Sequence, residues 1–274
     1  MEPFRDSIAV VTGGASGIGR ELCEEMARRG AMVVVTDVDE AGARAVAEGI
    51  VKAGGRATST ALDVRDAAAF QRVVEETVAS HGRLDYLFNN AGLAVAGEVR
   101  DLTLEHWRKV VDVNLWGVIH GISAAYPVMV RQGSGHIVNT ASLAGLLGIP
   151  CSSPYATTKF AVVGLSQNLR TEAADLGVKV SVICPAYIRT RIFDAGEYVK
   201  SSQEQVEALI PFKYMEVGEA VRRILRGVER NRAVIVLPFY ARILWWIARL
   251  FPGFPVLLNR TSVRAFRKRR PAEG

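Results

Sequence analysis

The tightest constraint on the fold lies near the start of the chain. Ser7-Ile-Ala-Val-Val-Thr12 is a short apolar, β-branched run with the composition of a buried strand. It leads into Thr12-Gly13-Gly14-Ala15-Ser16-Gly17-Ile18-Gly19 and then into Arg20 to Arg29, where Leu22, Met26 and Ala27 recur at helical spacing. Strand, glycine-rich turn and helix, in that order, form the context a dinucleotide fingerprint requires. Gly13 permits the tight turn, Gly17 lets backbone approach a pyrophosphate, and Gly19 lets the helix lie close on the strand. The helix start, Ser16 to Gly19, then offers free N–H groups and a positive dipole end to the phosphates. The spacing is G-x3-G-x-G rather than the commoner G-x-G-x-x-G, so the turn alone is a weak signal.

Further strands are expected at Ala31–Thr36, Arg56–Leu62, Leu84–Phe88, Gly135–Ala141, Val178–Cys184 and Ala233–Leu237. Helices are expected at Glu40–Ala53, Ala67–Ser80, Leu104–Arg131, Tyr155–Asp175 and Gly218–Glu229, the third of these broken or bent near Pro127. Strands that are apolar throughout, each followed by a helix, indicate a parallel sheet covered on both faces. The fold class is therefore α/β, a Rossmann-type doubly wound parallel sheet of about seven strands. With 274 residues, 49% hydrophobic and 23% charged, the chain suits one large domain, and it shows neither a linker nor a solenoid repeat. Residues 1–237 are expected to form the dinucleotide-binding catalytic domain, with a substrate lid over 190–215, and residues 238–274 an amphipathic, basic extension.

Four polar residues carry the chemistry: Asn114, Ser142, Tyr155 and Lys159. Tyr155 and Lys159, in Tyr-Ala-Thr-Thr-Lys, share one helix face a turn apart. A free tyrosine, pKa about 10, lies roughly three units too high for proton transfer near neutrality, or about 4 kcal/mol of missing phenolate stabilisation. A lysine ammonium one turn away supplies part of this, and a cationic nicotinamide ring nearby would supply more. Ser142 can hold the reacting oxygen by a hydrogen bond. Each residue alone has an ordinary explanation, as a turn serine, a buried amide or an amphipathic core tyrosine. Together, after the fingerprint, they point to an enzyme.

With Asn89-Asn90-Ala91-Gly92 following the fourth strand, residues 5–237 resemble the short-chain dehydrogenase/reductase family, every main motif being matched in order. The resemblance implies an oxidoreductase that transfers hydride between nicotinamide and a secondary alcohol or ketone. It makes Tyr155 the general acid/base. Lys159 lowers the tyrosine pKa and binds the nicotinamide ribose, Ser142 orients the substrate oxygen, and Asn114 holds a water linking Lys159 to solvent. Asp63 and Val64 correspond to the adenine-contacting pair, although Asp63 could equally cap the helix at Ala67. Asn90, Ala91 and Gly92 correspond to the segment against the adenosine half. Pro185 to Thr190 corresponds to the segment beside the nicotinamide, with Ile188 contacting the carboxamide through backbone and Thr190 through its hydroxyl. Ala186 stands there in place of the family's glycine. Asp37 ends the second strand, 18 positions after Gly19. An acidic side chain there binds ribose hydroxyls and repels a 2′-phosphate, and Val38 is uncharged, so NAD is expected over NADP. A helix-capping role for Asp37 is compatible with this.

Cys23, Cys151 and Cys184 match no metal-ligand spacing, and their odd number argues against a disulfide framework. His81, His106, His120 and His136 suggest no zinc site, so no metal is expected. The first strand begins too early for a secretory signal, and a reducing, cytoplasmic compartment is expected.

The formal charge of +6 is concentrated at the end: Arg260, Arg264, Arg267, Lys268, Arg269 and Arg270 against Glu273. Before them, Pro238 to Phe251 places Tyr240, Ile243, Leu244, Ile247, Leu250 and Phe251 on one helical face, with Trp245 and Trp246 at its border and Arg242 and Arg249 away from it. Pro255-Val-Leu-Leu258 is a further short apolar run. The helix is too short to span a bilayer of about 20 apolar residues. Two readings stand: subunit or pocket contacts, or peripheral attachment to an anionic membrane. Nucleic acid is not expected, because no folded basic face accompanies the tail. The favoured substrate is a lipophilic alcohol or ketone of retinoid, steroid or fatty type. The alternatives are a reductase of small carbonyls or acyl thioesters, and a non-catalytic dinucleotide sensor or scaffold. Homodimers or homotetramers are usual in the family.

Overall fold

A computed structural model of the chain describes residues 4–190, 196–207 and 212–268. In order, the elements are β1 (Ile8–Thr12), α1 (Gly17–Arg28), β2 (Met32–Asp37), α2 (Glu40–Lys52), β3 (Arg56–Ala61), α3 (Ala67–His81), β4 (Tyr86–Asn89), β5 (Val95–Ala96), α4 (Leu104–Val111), α5 (Gly117–Gln132), β6 (Gly135–Thr140), α6 (Ser153–Glu172), β7 (Val178–Pro185), β8 (Glu197–Tyr198), α7 (Gln203–Glu207), α8 (Val217–Glu229), β9 (Val234–Leu237), α9 (Phe239–Leu250) and α10 (Phe254–Lys268).

Seven strands form one parallel sheet in the order β3-β2-β1-β4-β6-β7-β9. β1 shows why the apolar runs pair this way, since all five of its residues are buried. Ala9 and Val11 join the core under α1, α2 and α8, with Leu22, Met26, Val46 and Ile224. Val10 points the other way, into a core shared with Phe70 and Val74 of α3 and Met129 of α5. Burying such a side chain contributes about 1.5–3 kcal/mol, so a strand with water on either face would forfeit half its stabilisation. The strand order reverses between β1 and β4, which opens a crevice at their carboxyl ends.

The expected break at Pro127 lies elsewhere. α5 runs through Pro127, and the irregularity is a π turn over Asp112–Trp116, between α4 and α5. Pro127 is exposed, as is Ser123, whose carbonyl loses its helical partner, so water can replace the missing bond. The apolar run at Pro255–Leu258 and the start of the basic tail are not separate features, because both belong to α10. By length and composition Leu104–Gln132 could cross a membrane, but half of it is buried within the domain.

Gly177 closes the turn before β7 with φ +75°, and a Cβ there would lie 2.0 Å from the carbonyl oxygen of Gly133. Gly177→Ala should therefore cost about 2–3 kcal/mol, from left-handed strain plus backbone displacement. A urea midpoint equal to that of the parent protein would contradict this packing.

Candidate active site

The crevice is assembled by backbone cross-links between its two walls. The Thr12 hydroxyl, at the end of β1, accepts from the N–H groups of Asn90 and Ala91, both at 3.0 Å. The Asn90 amide donates in return to the Thr12 carbonyl at 3.1 Å. A Cβ at Gly13, where φ is +66°, would lie 2.9 Å from Ala91 Cα, and one at Gly19 would lie 2.0 Å from the Gly13 oxygen. These two glycines serve contact of chain on chain. Gly17 instead faces Thr190, 3.3 Å from its would-be Cβ. Ser16 precedes α1 in extended backbone and its side chain forms no cap, which leaves the first N–H groups of α1 to an outside acceptor. Ile18 is partly buried and packs on the α1 side of the core.

Asp37 accepts from the Ala15 N–H with one carboxylate oxygen and from the Asp39 N–H with the other, both at 3.0 Å. It therefore holds the glycine turn from beneath. The helix cap is Asp39, which accepts from Gly42 N–H at 3.0 Å, and not Asp37. Asp63 likewise is not the cap of α3; that is Asp66, which accepts from Ala69 N–H at 2.9 Å. Asp63 is clasped by the Arg65 guanidinium at 2.6 and 2.9 Å, which holds its carboxyl below the ordinary range. Val64 turns its side chain into the α3 core, and its carbonyl meets His120 Nδ1 at 2.9 Å.

Pro185 ends β7, and Ala186 does not take the left-handed backbone that would need glycine. Its N–H donates to the Leu237 carbonyl at 2.8 Å. Ile188 is buried, with its neighbours tied to Met215 by hydrogen bonds of 2.9 and 3.0 Å. This leaves Thr190 beside the glycine turn.

The four polar residues converge at the carboxyl end of β6. Lys159 is buried to 3% exposure, and its ammonium donates to the Thr140 carbonyl at 2.9 Å. It lies 5.4 Å from the Tyr155 ring centre. Asn114 sits in the π turn, donating to the Leu93 carbonyl and accepting from the Leu93 N–H, each at 2.9 Å. A Cβ on Gly92 would come within 3.2 Å of Asn114 Oδ1 and 3.5 Å of Lys159 Nζ, so a small residue there lets the amide and the ammonium approach one point. Ser142 accepts from the Ala144 N–H at 3.1 Å and hydrogen-bonds Tyr155.

Burial dominates the electrostatics. It holds the Lys159 ammonium down at about 8. It pushes the Tyr155 phenol up, with the Ser142 hydrogen bond pulling the other way. The lowering of Tyr155 by Lys159 that the spacing suggests is thus not expressed by the protein alone. The ammonium sits over the ring rather than at the hydroxyl, and desolvation outweighs it. Cys184, also buried beside this group, is pushed up to about 12 and stays a neutral thiol.

Three supporting residues escaped the sequence reading: Thr12, Thr140 and Gly145. A Cβ on Gly145 would lie 2.5 Å from the Lys159 carbonyl oxygen, so its lack of a side chain lets α6 close on the Ser142 turn. Thr12 opens the glycine motif and Thr140 ends a strand two residues before Ser142, which are the signals that could have found them.

A short chain dehydrogenase family model matches residues 7–197. The chain belongs to the short-chain dehydrogenase/reductase family. Cyclohexanol dehydrogenase of Acinetobacter sp. (strain SE19) is 37% identical over 203 residues, which cover 72% of this chain and 80% of that protein. A 2,5-dichloro-2,5-cyclohexadiene-1,4-diol dehydrogenase of Sphingobium indicum is 38% identical over 185 residues, covering 68% and 74%. The crystal structure of a short-chain dehydrogenase/reductase from Burkholderia phymatum in complex with NAD superposes with a TM-score of 0.81 at 27% identity, covering 100% of this chain and 99% of that one. This chain is thus an oxidoreductase of dehydrogenase type.

On the outer side of this dehydrogenase crevice, β5 and β8 form a separate parallel pair. Lys109 binds Glu197 at 2.8 Å and Lys200 binds Asp101 at 3.3 Å, so the described part of the expected lid is tied to the body. Ile192, Phe193, Leu209 and Ile210 of that lid lie outside the described residues. α10 returns over the same side. The Asn259 amide donates to the Gly148 carbonyl at 2.6 Å, Phe266 is buried, and Arg267 binds Glu98 at 2.9 Å. Cys151, also on this side, is pushed up to about 11, by burial first and then by the Glu98 charge.

Because Lys159 falls from 10.5 to about 8 on folding, the unfolded chain binds its proton more tightly, and stability rises with pH across that window. Lys159→Met removes the penalty of the buried charge. Its urea midpoint at pH 7 should equal or exceed that of the parent, with the gap closing towards pH 10.5. A less stable variant with a pH-independent gap would contradict the assignment.

Proposed function

We propose that the chain is an NAD-dependent dehydrogenase acting at the secondary alcohol or ketone carbon of a lipophilic, ring-containing substrate. The observation that carries this reading is the convergence of Asn114, Ser142, Tyr155 and Lys159 beside the open start of α1. The crevice fits a dinucleotide. The free N–H groups of Ser16 to Gly19 suit its pyrophosphate, and the Asp37 carboxylate at the end of β2 suits ribose hydroxyls. The exposed neighbour Val38 offers no cation to a 2′-phosphate. Asp63, Val64, Asn90, Ala91 and Gly92 would line the adenosine half, and Pro185, Ile188 and Thr190 the nicotinamide half. When bound, the nicotinamide exchanges hydride at its C4 and adds positive charge in its oxidised form.

The residues of the chain do the rest. Ser142 holds the substrate oxygen against the Tyr155 hydroxyl. Tyr155 takes or gives the proton at that oxygen, which its burial alone opposes and a nearby cationic ring favours. Lys159 reaches the ribose hydroxyls and adds its charge. Asn114 holds the Leu93 backbone and the π turn open beside Lys159, where a water joins the ammonium to solvent.

A lipophilic substrate is supported by the stacked rings next to Ile188, an aromatic wall in which Tyr187 and Phe212 stack at 6.3 Å and Phe212 and Tyr240 at 4.3 Å. A ring substrate is supported by the two related dehydrogenases, one named for cyclohexanol and the other for a cyclohexadiene diol. The same reading includes a homodimer or homotetramer, a cytoplasmic setting, and peripheral membrane contact through α9.

Tyr155→Phe should lower turnover by about 10²- to 10⁴-fold while nicotinamide binding, followed by fluorescence titration, persists. Retention of most activity would overturn its role. Asp37→Ala should lower kcat/KM for NAD by about 10- to 100-fold and narrow the gap to NADP. A parent enzyme that favours NADP would overturn the cofactor assignment.

A further inference from the structure

A second concave site lies on the opposite flank of α9 from the aromatic wall. β9 is the last strand of the sheet and pairs only with β7, so its outer edge is open among the described residues. Between that edge, α8 and α9 runs a groove of about 530 Å³, lined by Arg226, Arg230, Arg232 and Arg242 together with Phe239 and Trp246. The nearby carboxylates are already taken: Glu219 pairs with Arg223 at 2.5 Å and Glu229 with Arg29 at 2.6 Å. Arg226, Arg230 and Arg232 form no ion pair among the described residues, and Arg242 lies 6.0 Å from the Phe239 ring centre. The groove is thus a concentration of positive charge without internal compensation.

The sequence periodicity put Arg242 and Arg249 away from the apolar face of α9; the structure puts them on a face shared with exposed apolar residues. Phe239, Ile243, Trp246 and Leu250, spaced to align along one side of a helix, are 47–69% exposed. Tyr240, Leu244 and Ile247 turn inward by comparison. The exposed apolar surface continues past the helix end through Phe251, Val256 and Leu257, where the chain bends by 114° into α10. α9 is about 18 Å long against a hydrocarbon core of about 30 Å, so it lies along an interface rather than crossing it.

Charge decides among occupants. Across a two-fold axis at the β9 edge the arginines would face their own copies, which costs free energy at every pair. An anionic surface meets them with opposite charge, while an apolar layer beneath it receives the aromatic stripe. Deepening the membrane contact of the proposed function, and resting on it, we propose that this groove binds the phosphate headgroups of anionic phospholipids in a bilayer. Phe239, Ile243 and Leu250 seat at the acyl boundary, with Trp246 at headgroup depth.

The test is co-sedimentation of the full chain with vesicles of phosphatidylcholine alone and of phosphatidylcholine mixed with phosphatidylserine. The mixed vesicles should bind far more protein, and high salt should release it. At about fivefold per basic residue near an anionic surface, Arg226→Gln/Arg230→Gln/Arg232→Gln should weaken that binding on the order of 100-fold. All three side chains are exposed, and circular dichroism checks that the variant is folded. Phe239→Ala/Trp246→Ala should weaken binding to both vesicle types. Binding to neither vesicle would remove the membrane reading and the groove with it. Equal binding to both, unmoved by the arginine substitutions, would leave membrane contact standing and overturn the groove. A triple variant whose mass by light scattering changes, without change in vesicle binding, would assign this face to a second copy of the chain and also overturn it.

Discussion

A buried ammonium group sets the terms for the rest of this structure. Lys159 is nearly dry, and its folded-state pKa of about 8 records what that burial costs. The cost is bearable because the Thr140 carbonyl sits at hydrogen-bond distance, at the end of a strand fixed between β4 and β7. Two glycines let other chain segments close on the same place: Gly92 leaves room for Asn114 and the ammonium, and Gly145 lets the Ser142 turn touch α6. Withdrawing the Thr140 carbonyl would leave the ammonium buried without its hydrogen-bond acceptor. The sheet supplies stability, but the lysine dictates which carbonyl, amide and turn must surround it.

The same economy appears at the crevice. Within the glycine turn, Ser16 forms no side-chain cap, and the turn is held by bonds from outside it. Thr12 and Asn90 stitch it to the loop after β4, and Asp37 accepts from its Ala15 N–H. A turn held this way keeps the start of α1 open at the point where the strand order reverses, and there the free N–H groups have no competing acceptor from a Ser16 cap.

What sequence reveals here follows from what each feature depends on. The strands were legible because a parallel strand with helices on both faces must be apolar on both, as β1 is. Tyr155 and Lys159 were legible because helical spacing alone puts them on one face. Caps were less so. Asp37, Asp39, Asp63 and Asp66 all stand near helix starts, and only side-chain hydrogen bonds to Gly42 and Ala69 select Asp39 and Asp66. The π turn around Asn114 left no compositional mark, whereas Pro127 left a mark but little distortion. Thr140 and Gly145 act through a backbone oxygen and through an absent side chain, and neither has a periodicity to betray it. α10 was hidden because an apolar run and a basic run read as two segments, although a helix can carry both on different sides.

α9 makes the distant flank relevant to the site. Its inner side places Tyr240 against Phe212, which stacks on Tyr187, one residue from Ile188. Its outer side carries the arginines and the apolar stripe. A helix clamped on one side by stacked rings cannot shift to suit a surface on the other without disturbing the rings beside Ile188. A ligand that prefers one position of α9 is linked to whatever packs against those rings, and such a linkage is reciprocal by thermodynamic necessity. If α9 seats on a bilayer as proposed, a substrate that partitions into lipid would arrive at the same helix, which carries the stacked rings on one side and the arginine groove on the other.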